Sequence, residues 1–245
     1  MFLRLQKHWF IILAIMIQPS VLKIIAVLAH PDDAELTCFG TLLKYVAQGH
    51  EVKVIIACTG ERGISIPERK HSTQRLEQSL RYQESLRAFS ATGIEVETLA
   101  YEDGSLAFNC DLISAIETKL RTSQPDILLT HFVCANGNDH QDHYVLGQTC
   151  VNAALRCKSL KKLLHAEPLQ PVKCDFMPNY FVNITDYFER KIQALSEHTS
   201  QQGRAYLTRE FHLTRSRNNA LAAATEFHTQ GLLFESFYCR QWVDL

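Results

Sequence analysis

The sequence contains no Cys-x-x-Cys pair, no Gly-x-Gly-x-x-Gly, no internal repeat and no low-complexity segment. The missing glycine fingerprint argues against a dinucleotide-dependent dehydrogenase. Eight cysteines (Cys38, Cys58, Cys110, Cys134, Cys150, Cys157, Cys174 and Cys239) are scattered through apolar patterns instead of grouped at zinc-finger spacing. They read as small buried hydrophobes in a reducing compartment. An excess of one charge is also missing: Lys+Arg total 25 against Asp+Glu 26, with no basic stripe, so no nucleic-acid partner is expected. Long apolar runs are scarce. The run from Trp9 to Ile17, behind Arg4 and Lys7, imitates the start of a signal peptide. It is too short to span a bilayer, and Gln18-Pro19-Ser20 is a poor cleavage site. Residues 1–20 therefore read as an apolar extension, either a misassigned start with Met16 as the natural first residue or a weak membrane segment. A single domain over residues 21–245 follows. The expected setting is cytoplasmic without membrane association, with membrane attachment or export as the alternative reading of that run.

What is present is a regular alternation of apolar strands and amphipathic helices. Strands are predicted over 21–28, 52–57, 95–101 and 126–131. Between and after them lie helices over 36–48, from Ser72 or Thr73 to 89, over 111–120 and over 144–155. This spacing is the βαβ pattern of an α/β fold with a mostly parallel, doubly wound sheet. Residues 158–178 read as irregular. A strand is expected over 179–184, a helix over 186–198, and a helical core at Asn219-Ala220-Leu221-Ala222-Ala223-Ala224.

The first strand runs into Ala29-His30-Pro31-Asp32-Asp33-Ala34-Glu35, at the sheet edge where open α/β folds bind ligands. Pro31 stiffens the turn. A lone Asp there would read as a helix cap, but a cap needs neither His-Pro before it nor a second carboxylate. After the fourth strand comes Asn136-Gly137-Asn138-Asp139-His140-Gln141-Asp142-His143. With Asp139 as N-cap, His140 and His143 share a face and Asp142 points elsewhere. The helix N-terminus favours neutral imidazoles, the form a metal requires.

His30, Asp33 and His143 together supply two imidazoles and a carboxylate, the ligand set of a catalytic zinc site with open positions. Asp32 is left over as a general base, and His140 as a donor to an oxygen on which charge develops. Two rival readings use the same three ligands. One is a non-haem iron oxygenase, and the other is a non-catalytic metal-binding protein. Arg81 and Glu84, three apart on a helix, suit a surface ion pair. His8, His50, His71, His165, His212 and His228 have no suggestive companions and read as ordinary surface or partly buried residues.

The His30-Pro31-Asp32-Asp33 corner followed by His140-x-Asp142-His143 closely resembles the PIG-L / LmbE-like family of zinc-dependent N-acetylglucosaminyl deacetylases. Weaker similarities run along the chain, at Thr59-Gly60-Glu61, Arg81-x-x-Glu84, the Lys191 to Gln201 segment and Glu235-x-Phe237. The resemblance implies a Rossmann-like sheet and a hydrolase that removes acetyl from an N-acetylglucosamine-type conjugate by means of metal-activated water. It implies His30, Asp33 and His143 as ligands of Zn2+ (Fe2+ being accepted by the same set), Asp32 as catalytic base and His140 as oxyanion stabiliser. Glu35, Arg81 and Asp103 are expected to hold the sugar, with His198 near the pocket as a further substrate-binding residue. Two departures stand out. Ala34 occupies a position where many members carry Glu, and Asn138-Asp139 replaces a Pro-rich turn before the histidine pair.

Overall fold

The apolar run Lys23–Leu28 forms β1, buried at every position after the first. Ile24, Ala26 and Leu28 face one core while Ile25 and Val27 face another, so both sides of this strand are covered. That is why it reads as a continuous hydrophobic run and not as an alternation. The computed structural model describes residues 20–63, 79–224 and 230–243. Residues 1–19 of the expected extension over 1–20, the expected cap at Ser72 or Thr73, and His8, His71 and His228 lie outside the described residues.

Seven strands form one sheet in the order β3-β2-β1-β4-β5-β7-β6. β1 pairs in parallel with β2 (Glu51–Cys58) and β4 (Ile127–His131). β3 (Glu95–Tyr101) and β5 (Lys162–Ala166) extend the parallel part outward on either side. β7 (Phe234–Trp242) runs antiparallel to β5, and β6 (Tyr180–Asn183) pairs antiparallel to β7. The sheet is thus mixed. Two sequence expectations are corrected here: residues 158–178 are not wholly irregular, since they contain β5, and a closing strand, β7, lies beyond the predicted elements. Lys161 before β5 and Lys162 at its first position hide a strand whose remaining four residues are buried.

Seven helices cover the sheet among the described residues: α1 (Asp33–Thr37), α2 (Phe39–Ala47), α3 (Leu80–Ala88), α4 (Cys110–Ser123), α5 (Gln141–Ala154), α6 (Phe188–Ser196) and α7 (Arg209–Ala223). Phe39, Phe89 and Phe188 pack one face; Leu112, Ile116, Leu120 and Leu146 pack the other. No helix among the described residues is long and apolar enough to cross a membrane. The eight cysteines are free thiols, five of them buried and Cys110 exposed.

The chain leaves β1 toward β2 but leaves β4 toward β5, so the crevice between β1 and β4 is the switch point of the sheet. Two interactions fix the helices that open there. Glu235 of β7 accepts from the Gly40 and Thr41 backbone N–H groups at 3.1 and 2.7 Å, capping the start of α2. Lys191 of α6 donates to Glu235 at 2.7 Å and to the Leu36 carbonyl at 3.1 Å, tying down α1. On the other side, Gly147 brings α5 against the end of β4. A Cβ there would lie 2.7 Å from the His131 carbonyl oxygen. Gly147→Ala should therefore lower stability by about 1–3 kcal/mol through overpacking, read as a shift in denaturant midpoint. An unchanged midpoint would mean that α5 retreats freely.

Candidate active site

The corner after β1 turns on Asp32, whose φ of 105° places a non-glycine residue in strained left-handed backbone. Arg81 holds that corner. Its Nη2 donates to the Pro31 carbonyl at 2.6 Å and lies 3.0 Å from Asp32 Oδ2, while Nη1 donates to the Gly60 carbonyl at 3.0 Å. Gly60 and Gly63 leave the space the guanidinium fills, since a Cβ at either would collide with it. The surface ion pair expected between Arg81 and Glu84 does not form. Both are buried, and Glu84 accepts instead from Thr199 Oγ1 and from Ser200 N and Oγ.

His30, Asp33 and His143 meet beside this corner. His30 Nδ1 lies 3.3 Å from His143 Nε2 and 3.5 Å from Asp33 Oδ2, and His143 Nε2 lies 3.4 Å from Asp33 Oδ2. The outer nitrogens of both rings face carboxylates: His30 Nε2 is 3.1 Å from Asp142 Oδ2 and 3.2 Å from Asp103 Oδ1, and His143 Nδ1 is 2.9 Å from Asp139 Oδ1. A neutral ring so placed carries its proton on the outer nitrogen and points its lone pair inward. Two lone pairs and a carboxylate oxygen then converge with no proton between them, an arrangement that calls for a cation. Donor atoms bound at roughly 2.1 Å to one tetrahedral ion stand about 3.4 Å apart, close to the spacing here. The same carboxylates favour positive charge on the rings themselves, carried as protons that a bound ion would displace. Burial would lower both imidazoles, but the surrounding carboxylates raise His30 well above its ordinary value and His143 to about 9. Burial would raise Asp33, yet the charges of His143 and His131 hold it well below the usual carboxylate range.

His131, the last residue of β4, was not singled out from the sequence. Its Nε2 accepts from the Ala29 N–H at 2.8 Å, and its ring stacks on His143 with centroids 4.0 Å apart. Burial, followed by the charge of His143, pushes it down to about 4. Its inward lone pair is already used, so it forms a wall that orients His143. The available signal was position: a histidine ending the strand next to β1.

The N-terminus of α5 differs from expectation in two ways. His140, not Asp139, is the N-cap, its Nδ1 accepting from the Asp142 N–H at 3.2 Å. Asp142 does not point elsewhere. It is fully buried, faces His30, and accepts from the Gly104 and Leu106 N–H groups at 2.7 and 3.2 Å. His140 remains half-exposed, edge-on to His30 at 4.7 Å, and is held below its ordinary value by burial and by the charges of His30 and His143.

A cavity of about 370 Å3 opens over these groups, lined by His30, Asp32, Asp33, Arg81, Asp103, His140 and His143, with Leu169, Arg204 and Tyr206 at its side. Glu35 and His198 are corrected: neither lines it. Both are completely buried and pair with each other, His198 Nε2 to Glu35 Oε1 at 2.8 Å, beneath α1. The geometry makes them supports of the corner rather than contacts for a sugar. His165 and His212 are likewise more deeply buried than expected, at 1% exposure each.

The comparisons with known proteins agree with this arrangement. A family model described as PIG-L, GlcNAc-PI de-N-acetylase, matches residues 25–154. A diacetylchitobiose deacetylase of Thermococcus kodakarensis is 27% identical over 192 residues, 74% of this chain and 71% of that one. A probable N-acetyl-alpha-D-glucosaminyl L-malate deacetylase 2 of Bacillus cereus is 26% identical over 184 residues, 73% of this chain and 83% of that one. The solved structure of a 4-carboxy-2-hydroxymuconate hydratase from Pseudomonas putida superposes with a TM-score of 0.73 at 20% identity, over 92% of this chain and 98% of that one. That last likeness concerns the fold alone. With the matched segment running from β1 through α5 and so containing every residue of the convergent cluster, the chain belongs to the PIG-L family of de-N-acetylases.

Proposed function

We propose that this protein is a zinc-dependent hydrolase, its catalytic domain spanning residues 21–245, that removes the acetyl group from an N-acetylated amino sugar conjugate of the N-acetylglucosamine type. The observation that carries the reading is the meeting of His30 Nδ1, Asp33 Oδ2 and His143 Nε2 within 3.5 Å of one another, in a cavity that also holds Asp32 and His140. Those three residues would hold the ion, which when bound supplies Lewis acidity toward water and the amide carbonyl; Fe2+ suits the same donors.

Asp32 acts as the general base. Burial raises its proton affinity, Arg81 opposes that, and the neighbouring Asp33 adds to it, leaving the carboxyl above its ordinary value. It takes a proton from the attacking water and returns it to the nitrogen as the C–N bond breaks, so one water is consumed and amine and acetate leave. His140, whose Nδ1 is occupied as an acceptor, presents an Nε2–H donor to the carbonyl oxygen as charge builds there. Asp103 at the cavity wall and Arg81 at its floor support binding of sugar hydroxyls. The names of the two deacetylase relatives support an amino-sugar substrate. The free thiols support a reducing, cytoplasmic setting.

Chelation tests the reading. Stripping divalent ions should reduce acetate release from a panel of N-acetylglucosaminides to background, and Zn2+ or Fe2+ should restore it. Release that survives complete metal removal would reject the hydrolase as described. Oxygen uptake with the Fe2+-loaded protein would favour the oxygenase instead.

A further inference from the structure

A second cavity, of about 690 Å3, lies beside the first, between the segment following β5 and the face of α7. Its walls are largely apolar: Leu169, Pro171, Val172, Phe176, Phe211 and Ala222. Leu169 lines both cavities. The opposite wall is shared in the same way, because Arg204 and Tyr206 line the first cavity while Ala205 and Thr208, interleaved with them, line the second. The two cavities therefore adjoin, with Leu169 between them. Val172 (89% exposed) lies on this groove; such apolar exposure marks a binding surface when it borders a concavity.

The floor of the groove is built. Glu167 Oε2 accepts from Asn219 Nδ2 at 2.7 Å and from Ser236 Oγ at 2.8 Å, and Arg215 Nε lies 3.0 Å from it. Arg215 Nη2 also donates to the Glu167 and Pro168 carbonyls, at 2.5 and 3.1 Å. These contacts hold the 167–168 stretch against α7, and Leu169 with it, so the groove keeps its shape without a ligand.

Resting on the deacetylase reading above, we propose that the groove takes an apolar aglycone: the substrate is an N-acetylated amino sugar glycosidically joined to a hydrocarbon chain or ring that leaves the reaction cavity past Leu169. The chemistry at the acetamide is unchanged by this. Hydrolysis still consumes one water and releases acetate, and the aglycone contributes only binding. The polar groups of the first cavity (Asp103, Arg204 and Tyr206) suit a sugar, whereas beyond the Glu167–Arg215 pair the second is lined by a single charged residue, Glu210, and by neutral groups.

The test compares the methyl and octyl glycosides of N-acetylglucosamine, in both anomers, below the micelle-forming concentration of the octyl compound. Calorimetry reads the groove without turnover, and acetate release reads the reaction. The octyl glycoside should bind the metal-loaded protein at least roughly tenfold more tightly than the methyl glycoside, since each buried methylene strengthens binding severalfold. Its kcat/KM should be higher by a similar factor. Ala222→Trp, which fills the groove from an exposed position on α7, should bring the octyl-to-methyl affinity ratio close to one. Equal affinities for the two glycosides in the unaltered protein would overturn the proposal, and so would a ratio that Ala222→Trp leaves intact. Tight octyl binding without acetate release would keep the groove and reject the deacetylase. Acetate release with equal affinities would do the reverse.

Discussion

His143→Ala should abolish both metal content and activity, whereas His140→Ala should keep the metal and lose most of the rate. This contrast is the sharpest expected result. His143 is one of the three inward-facing donors, fixed from behind by Asp139 and stacked flat on His131. Removing it leaves one imidazole and one carboxylate, too few to retain zinc through dialysis. His140 sits across the cavity with its Nδ1 committed to the α5 N-terminus, so in the proposed reaction only its second nitrogen is available. Loss of one such donor lowers kcat by about a hundredfold to a thousandfold. Elemental analysis alongside kcat separates the two. A His140→Ala protein that lost its metal would move His140 into the ligand set, since His30, His140 and His143 can also bring three nitrogens together.

Asp32→Asn is the second large effect. The substitution keeps the size of the side chain and one oxygen for Arg81, so the corner should stay folded and metal content should be unchanged. What disappears is a group able to accept the proton of water. The expected loss in kcat is about 10² to 10⁴-fold, with KM little changed. A variant within tenfold of the parent would rule out Asp32 as the base, and attention would pass to Asp103, the next carboxylate lining the cavity.

Much of the fold was legible because β1, β2 and β4 are buried on both faces and so read as plain apolar runs. β5 was lost because Lys161 and Lys162 mark its start, and β7 because its second half includes Arg240 and Gln241. At the site, residues whose role follows from adjacency in the chain were readable: His30 beside Asp32 and Asp33, and His140 near His143. Residues whose role comes from the sheet were not. His131 acts because β4 neighbours β1, a pairing that no local pattern announces. Asp142 was misjudged because helix periodicity assumes a solvent side, whereas the α5 N-terminus is inserted against Gly104 and Leu106. Glu35 and His198 carried a motif-like signal that proved structural: each is the other's buried partner, 163 positions apart. The late Lys191 and Glu235 follow the same logic, bonded to each other, to the end of α1 and to the start of α2.

That last linkage bears on how the molecule is made. The corner near residue 30 is synthesised long before the carboxylate at position 235 that anchors the two helices following it. A nascent chain thus carries His30, Asp32 and Asp33 before the clasp that seats their corner exists.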